Sequence, residues 1–313
     1  MDANAEKAMA EARRTVQDEA LPRAGAPLPG EEARRRLLAE LPVTERRLLL
    51  AGISTAVQEG GEGPPIVLLH GPMGNATHWM SIIPSLVATH RVIVPDLPGH
   101  GASEVTDARP IDASRVMEWL GGLIAQTCET PPVLVGQTLG GAIAARFASE
   151  QGHRQSALVL VDTFGLRPFQ PTPEFGLALS NFLAQPTERT YTHLWQHCAF
   201  DLKALRRRIG NRWQPFEAYN LDRARNADVQ EAVAALMDQF GATAISTAGL
   251  ARITVSTTLI WGRHDLATPL WVAEQASARF GWPLHVIENC NDDAPVEQPE
   301  ALLRALRVAL DGA

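Results

Sequence analysis

The sequence predicts an α/β fold, a mostly parallel β-sheet sandwiched by helices and interrupted once by a helical insertion. Three observations predict it. Short Val/Ile/Leu runs recur along the chain, separated by stretches of helical periodicity. These runs are continuously apolar instead of alternating, as in strands covered on both faces of a parallel sheet. Between residues 164 and 253 the strand runs stop and only helical patterns remain. At 313 residues, with 45% apolar and 20% charged side chains, the chain suits one large domain with an insertion.

In chain order, residues 1–45 read as an N-terminal extension rich in Ala, Glu and Arg, broken by LPRAGAPLPG. Within it EEARRRLLAELP has the pattern of a short amphipathic helix on a mobile or loosely docked arm. Residues 46–163 and 254–313 form the expected core. PPIVLLHG is a strand, NATHWMSIIPSLVATH a helix, RVIVPDLPGHG a strand and turn, and DASRVMEWLGGLIAQT a helix. PPVLVG is a strand, GGAIAARFASEQG a helix and SALVLVDT a strand. After the insertion come strands STTLIWG and PLHVIEN with helices TPLWVAEQASARF and PEALLRALRVAL. Residues 164–253 are the insertion, with helices at FGLALSNFLAQ, HLWQHCAFDLKALRRRIGNRW and DVQEAVAALMDQFG. An insertion at this point covers the carboxyl ends of the strands, where open α/β sheets bind ligands. The basic run KALRRR, Lys203 to Arg208, reads as a solvated helix face.

Composition narrows the function. A formal charge of −7 without a Lys/Arg stripe argues against nucleic acid or an anionic membrane as partner. No 18-residue apolar run occurs and the N-terminus has no apolar signal region, so a cytoplasmic location is expected. Cys128, Cys198 and Cys290 are widely spaced with no C-x-x-C, which fits a reducing compartment without disulfides or zinc. There is no phosphate-loop or dinucleotide motif and no metal-ligand cluster. The expected partner is a small-molecule substrate or ligand, bound by a monomer or homodimer that needs no cofactor.

Five motifs occur in a fixed order: His70-Gly71 after a strand, DLPGHGAS from Asp96, GQTLGG from Gly136, GRHDLATP from Gly262, and DDAPVEQPEALLRAL from Asp292. Together they span roughly residues 46–311, and they resemble the α/β-hydrolase superfamily with an inserted helical cap. The resemblance implies a nucleophile elbow at GQTLGG, a catalytic acid at Asp265, and backbone donors for a developing oxyanion. Leu139 would donate from the start of the helix after the elbow. Gly71, Met73, Gln137, His78 and Trp79 are the expected oxyanion or substrate-binding neighbours.

Three departures bear on the chemistry. The elbow's third place holds Thr138, which keeps a hydroxyl but adds a β-methyl where the backbone is strained. The histidine of the family's usual G-H-x-P-x-x-E-x-P-E segment is missing. Anchored on EQPE its place is Asp292, and anchored on Pro295 it is Asp293. A carboxylate near its ordinary pKa, about 4, is a poor base for a hydroxyl. The residue after His70-Gly71 is Pro72, which has no N–H to donate. Removing one oxyanion donor costs about 3 kcal/mol of transition-state stabilisation. Two carboxyl groups brought together without an intervening imidazole drive one of them toward the protonated form. The sequence leaves three functions open. One is an enzyme on a small apolar carbonyl, ester or ring substrate through Thr138, Asp265 and Asp292 or Asp293, with weak or absent esterase activity. The others are a non-catalytic small-molecule binder and a scaffold acting through the extension.

Overall fold

The computed structural model describes residues 28–311. Nine strands form one sheet: β1 Thr44–Leu50, β2 Ile53–Gly60, β3 Pro65–Leu69, β4 Arg91–Pro95, β5 Glu104–Val105, β6 Val133–Gln137, β7 Ala157–Val161, β8 Ser256–Gly262 and β9 Leu284–Ile287. Their order is β1-β2-β4-β3-β6-β7-β8-β9, with β5 beside β2. The pairings from β4 through β9 are parallel, and β1 and β2 add antiparallel strands at one edge. Strands β3, β6 and β7 are buried along their whole length, which is why they read as unbroken apolar runs.

The topology positions the site. Chain order runs outward from β3 to β4, then returns to place β6 on the other side of β3. The carboxyl ends of β3 and β6 therefore flank the point where the strand order reverses, the place where α/β sheets open a crevice. Gly71 follows β3 and Thr138 follows β6, so the two meet there.

Among the described residues, 164–253 contains helices and no strand. Its main helices are Pro173–Ala184, Glu188–Cys198, Leu202–Ile209, Trp213–Arg225 and Ala227–Leu236. The single helix expected over HLWQHCAFDLKALRRRIGNRW is two, broken where Asp201 caps a new start by accepting from the Ala204 N–H at 2.9 Å. The basic run is not simply solvated either. Arg208 donates to the Val296 carbonyl, and the Arg206 guanidinium lies 5.0 Å from the centre of the Trp213 ring.

Two further expectations need correction. NATHWMSIIPSLVATH is a 3₁₀ turn at Ala76–Trp79 and a one-turn helix at Ile83–Leu86, because Pro84 fits only a first helical turn. The described part of the extension is docked. Helix Gly30–Leu38 lies against Trp213–Arg225 and buries Ala33 and Leu37, and β1 already starts at Thr44. Residues 1–27 of the extension lie outside the described residues.

Candidate active site

Strand β6 runs into helix Thr138–Gln151 with no intervening loop. The reversal puts Thr138 at φ 43°, in the left-handed region that a β-branched residue strongly resists. Close approach of the backbones makes the turn possible. A Cβ on Gly140 would lie 2.3 Å from the Leu69 carbonyl oxygen, so only glycine lets β3 and the new helix touch. The Thr138 carbonyl accepts from the Phe164 N–H at 3.0 Å and from the Thr163 hydroxyl at 3.3 Å. Its own hydroxyl is buried with no hydrogen-bond partner among the described residues. That hydroxyl lies directly over Gly71, where a Cβ would come within 2.3 Å of Oγ1.

The loop after β3 is a tight turn in which the Gly74 N–H donates to the Gly71 carbonyl at 3.1 Å and Met73 takes φ 56°. His70 holds the loop from beneath, its Nε2 accepting from the Leu97 N–H at 2.9 Å and its Nδ1 lying 2.8 Å from the Gly71 carbonyl. Gly71, Met73, His78, Gln137, Thr138, Asp292 and Asp293 all line one pocket of about 550 Å³. The helical segment supplies most of its apolar wall, through Phe164, Phe175, Phe182, Leu194, Trp195 and Val233. Among the described residues no Lys or Arg lines it.

Trp79 does not belong to this wall. Its indole is fully buried in the core. The Leu139 side chain is likewise core. Its N–H lies in the first helical turn, where no preceding carbonyl is available to accept it. His78 lines the pocket while its ring caps the Asn75 N–H. Burial lowers its pKa to about 4, so it is neutral near pH 7.

The carboxyl groups extend beyond the pair the sequence suggested. Asp265 is buried behind the pocket, with Oδ1 accepting from the Ala267 and Thr268 N–H groups, both at 2.7 Å. Asp162, at the end of β7, accepts from the Gly262 N–H at 2.7 Å. Glu297 accepts from the Asn291 N–H at 2.6 Å and from Phe200. Asp293 accepts from Gln137 Nε2 at 3.1 Å, and the same amide reaches the Asp292 carbonyl at 3.0 Å. Among the described residues none of the five forms an ion pair. One buried oxygen each of Asp162, Asp265 and Asp292 has no hydrogen-bond partner among the described residues.

Their protonation follows from this crowding. Burial, then repulsion from Asp162 and Asp292, holds Asp265 well above the carboxylate range. Burial, then Asp293, does the same to Asp292. Burial raises Asp293 to about 7, against the Gln137 hydrogen bond that stabilises its charge. The Asp292 charge bears on Asp265, and Asp293 is held by Gln137. No described residue hydrogen-bonds the Thr138 hydroxyl.

A sequence model described as the alpha/beta hydrolase family matches residues 66–305. The chain belongs to the α/β-hydrolase family. Among its relatives, the magnesium-chelatase 30 kDa subunit of Rhodobacter capsulatus is 40% identical over 87 residues, covering 28% of this chain and 31% of that protein. The 2-hydroxy-6-oxo-6-phenylhexa-2,4-dienoate hydrolase of Comamonas testosteroni is 28% identical over 264 residues, covering 79% of this chain and 87% of that protein. Against the first four curated relatives the chain spans 31%, 41%, 45% and 45% of their lengths. The 2-hydroxy-6-oxo-6-phenylhexa-2,4-dienoate hydrolase structure from Rhodococcus sp. strain RHA1 superposes with a TM-score of 0.74 at 24% identity. It covers 86% of this α/β-hydrolase and 99% of the other chain. No helix among the described residues of this family member is long and apolar enough to cross a membrane.

The sequence singled out Thr138, Pro72, Asp265 and the missing histidine, and did not single out Asp162, which the fold adds to the carboxyl cluster. Asp162 had a readable signal, since it ends the run ALVLV as Asp265 follows STTLIWG.

Proposed function

We propose that the protein is an enzyme of acid/base type acting on a small, neutral, largely apolar carbonyl, ester or ring compound, with the helices of 164–253 as its cap. The observation that carries this is the pocket itself, apolar on its upper wall with Thr138, Asp292 and Asp293 among its lining residues. A protonated carboxyl of the pair donates to the ligand's oxygen, and an ionised neighbour accepts a proton from the adjacent carbon. Several relatives are named as dienoate hydrolases, and dienoates carry a carboxylate. Among the described residues this pocket has acids and no cation, so it favours a neutral ligand over those anions. Esterase chemistry through Thr138 is disfavoured by the missing base and by Pro72.

A ketone in heavy water tests the reading. Acetophenone incubated with the protein should exchange its methyl hydrogens for deuterium faster than in buffer, and Asp292→Asn or Asp293→Asn should slow this at least tenfold. Hydrolysis of p-nitrophenyl acetate should stay near the blank and ignore Thr138→Ala. A turnover of about 1–1000 s⁻¹ that vanishes in Thr138→Ala would refute the reading. The unpartnered Thr138 hydroxyl favours a second reading, a small-molecule binder without chemistry. Acetophenone bound but never exchanged supports that one.

A further inference from the structure

Tyr191, on helix Glu188–Cys198, is buried in the wall of the main pocket. Its phenol ends a chain of hydrogen bonds that begins in the loop after β3. The Thr77 backbone N–H donates to Asn75 Oδ1 at 3.0 Å, and the Thr77 hydroxyl reaches the same oxygen at 2.6 Å. A backbone N–H can only donate, so this end fixes which amide atom of Asn75 is oxygen. Asn75 Nδ2 then donates to Asn220 Oδ1 at 3.0 Å, leaving Asn220 Nδ2 to donate to the Tyr191 oxygen at 3.0 Å. All three side chains are buried, so each link is shielded from water.

The polarity of the chain has one outcome at its end. The Tyr191 oxygen is an acceptor toward Asn220, and its own hydrogen has no protein acceptor among the described residues. Burial pushes the phenol well above its ordinary range, so the hydrogen stays in place at neutral pH. The open direction is the pocket that Tyr191 and Asn220 both line. Across that pocket Pro72 supplies no N–H, so the loop after β3 is short of a donor.

We propose that Tyr191 is the specificity-determining donor of this pocket, directing its O–H at the carbonyl or ring oxygen of a neutral apolar ligand. This rests on the pocket reading above, and it adds that the ligand must carry an acceptor near the helical wall. The Asn75–Asn220 relay leaves the Tyr191 hydrogen free toward the pocket, so a ligand gains a partner there when it places an acceptor oxygen against it.

A matched pair of probes tests it. Acetophenone and α-methylstyrene have nearly the same shape, and only the first carries an acceptor. In ligand-observed NMR titrations the wild-type protein should bind acetophenone about tenfold more tightly, the effect of one neutral hydrogen bond. Tyr191→Phe should abolish that preference and leave α-methylstyrene affinity unchanged. A preference that survives in Tyr191→Phe overturns the proposal, above all if Thr138→Val removes it. Equal weakening of both probes in Tyr191→Phe also overturns it, since that is a packing effect. Equal binding of both probes by the wild type overturns it and leaves the apolar-pocket reading standing. If the wild type binds neither probe, the pocket reading falls and this proposal with it.

Discussion

Thr138 combines two unfavourable features, a positive φ and a branched Cβ, and such a conformation costs about 1–3 kcal/mol that the surrounding fold must offset. Its hydroxyl is pressed over Gly71, and the two residues should therefore be energetically coupled. Gly71→Ala should destabilise the protein by about 2 kcal/mol in urea unfolding, and about 1 kcal/mol of that should disappear in a Thr138→Ala background. Strictly additive effects would show that the hydroxyl does not crowd Gly71. At this scale much of the site is legible in the sequence. Thr138, Pro72 and the absent histidine are departures inside contiguous motifs, where one position decides the chemistry. Tyr191 and Asn220 are not legible, because their roles depend on a relay that starts at Thr77, and nothing local marks either of them.

Helix Gly30–Leu38 illustrates the element scale. Its sequence is dominated by charge, and the apolar positions Ala33 and Leu37 look too few to anchor it. In the fold both are buried against Trp213–Arg225, and Arg34 reaches Glu45 and comes within 3.8 Å of Asp96. Leu37→Ala should therefore cost about 2–4 kcal/mol, as for a full core leucine. Thermal or urea unfolding measures this, and a cost below about 0.5 kcal/mol would place the helix among loosely docked segments. Strand β1 was hidden for a related reason. TERRLLL is an exposed edge strand, so it shows neither the alternation of a half-buried strand nor the apolar run of a central one. Six strands were legible, β3, β4, β6, β7, β8 and β9, and all but β9 are buried along most of their length.

Across the whole molecule, Asp162, Asp265, Asp292, Asp293 and Glu297 meet from three separate stretches of chain, and no cation pairs with them among the described residues. Their assembly follows from the parallel sheet, which brings the ends of β7, β8 and β9 side by side. It could not be read from any one motif. Raised carboxyl pKa values give stability a definite pH dependence. Each group binds its proton more tightly folded than unfolded, so its favourable contribution is complete below the unfolded value. That contribution is lost as pH rises through the folded one. For Asp293 the window runs from 3.8 to about 7. At 1.36 kcal/mol per pKa unit, the change is on the order of 4 kcal/mol at most.

The measurement that bears most directly on a proton-holding carboxyl pair in place of the histidine is the unfolding free energy from pH 4 to 9, for the wild type, Asp292→Asn and Asp293→Asn. Asparagine keeps the shape and the acceptor that Gln137 uses, and removes the charge. The account predicts wild-type stability that falls steadily from about pH 4 through pH 7. Both variants should have flatter profiles, matching the wild type near pH 4 and exceeding it at pH 8. Parallel profiles for all three proteins, with neither variant more stable at pH 8, would contradict it.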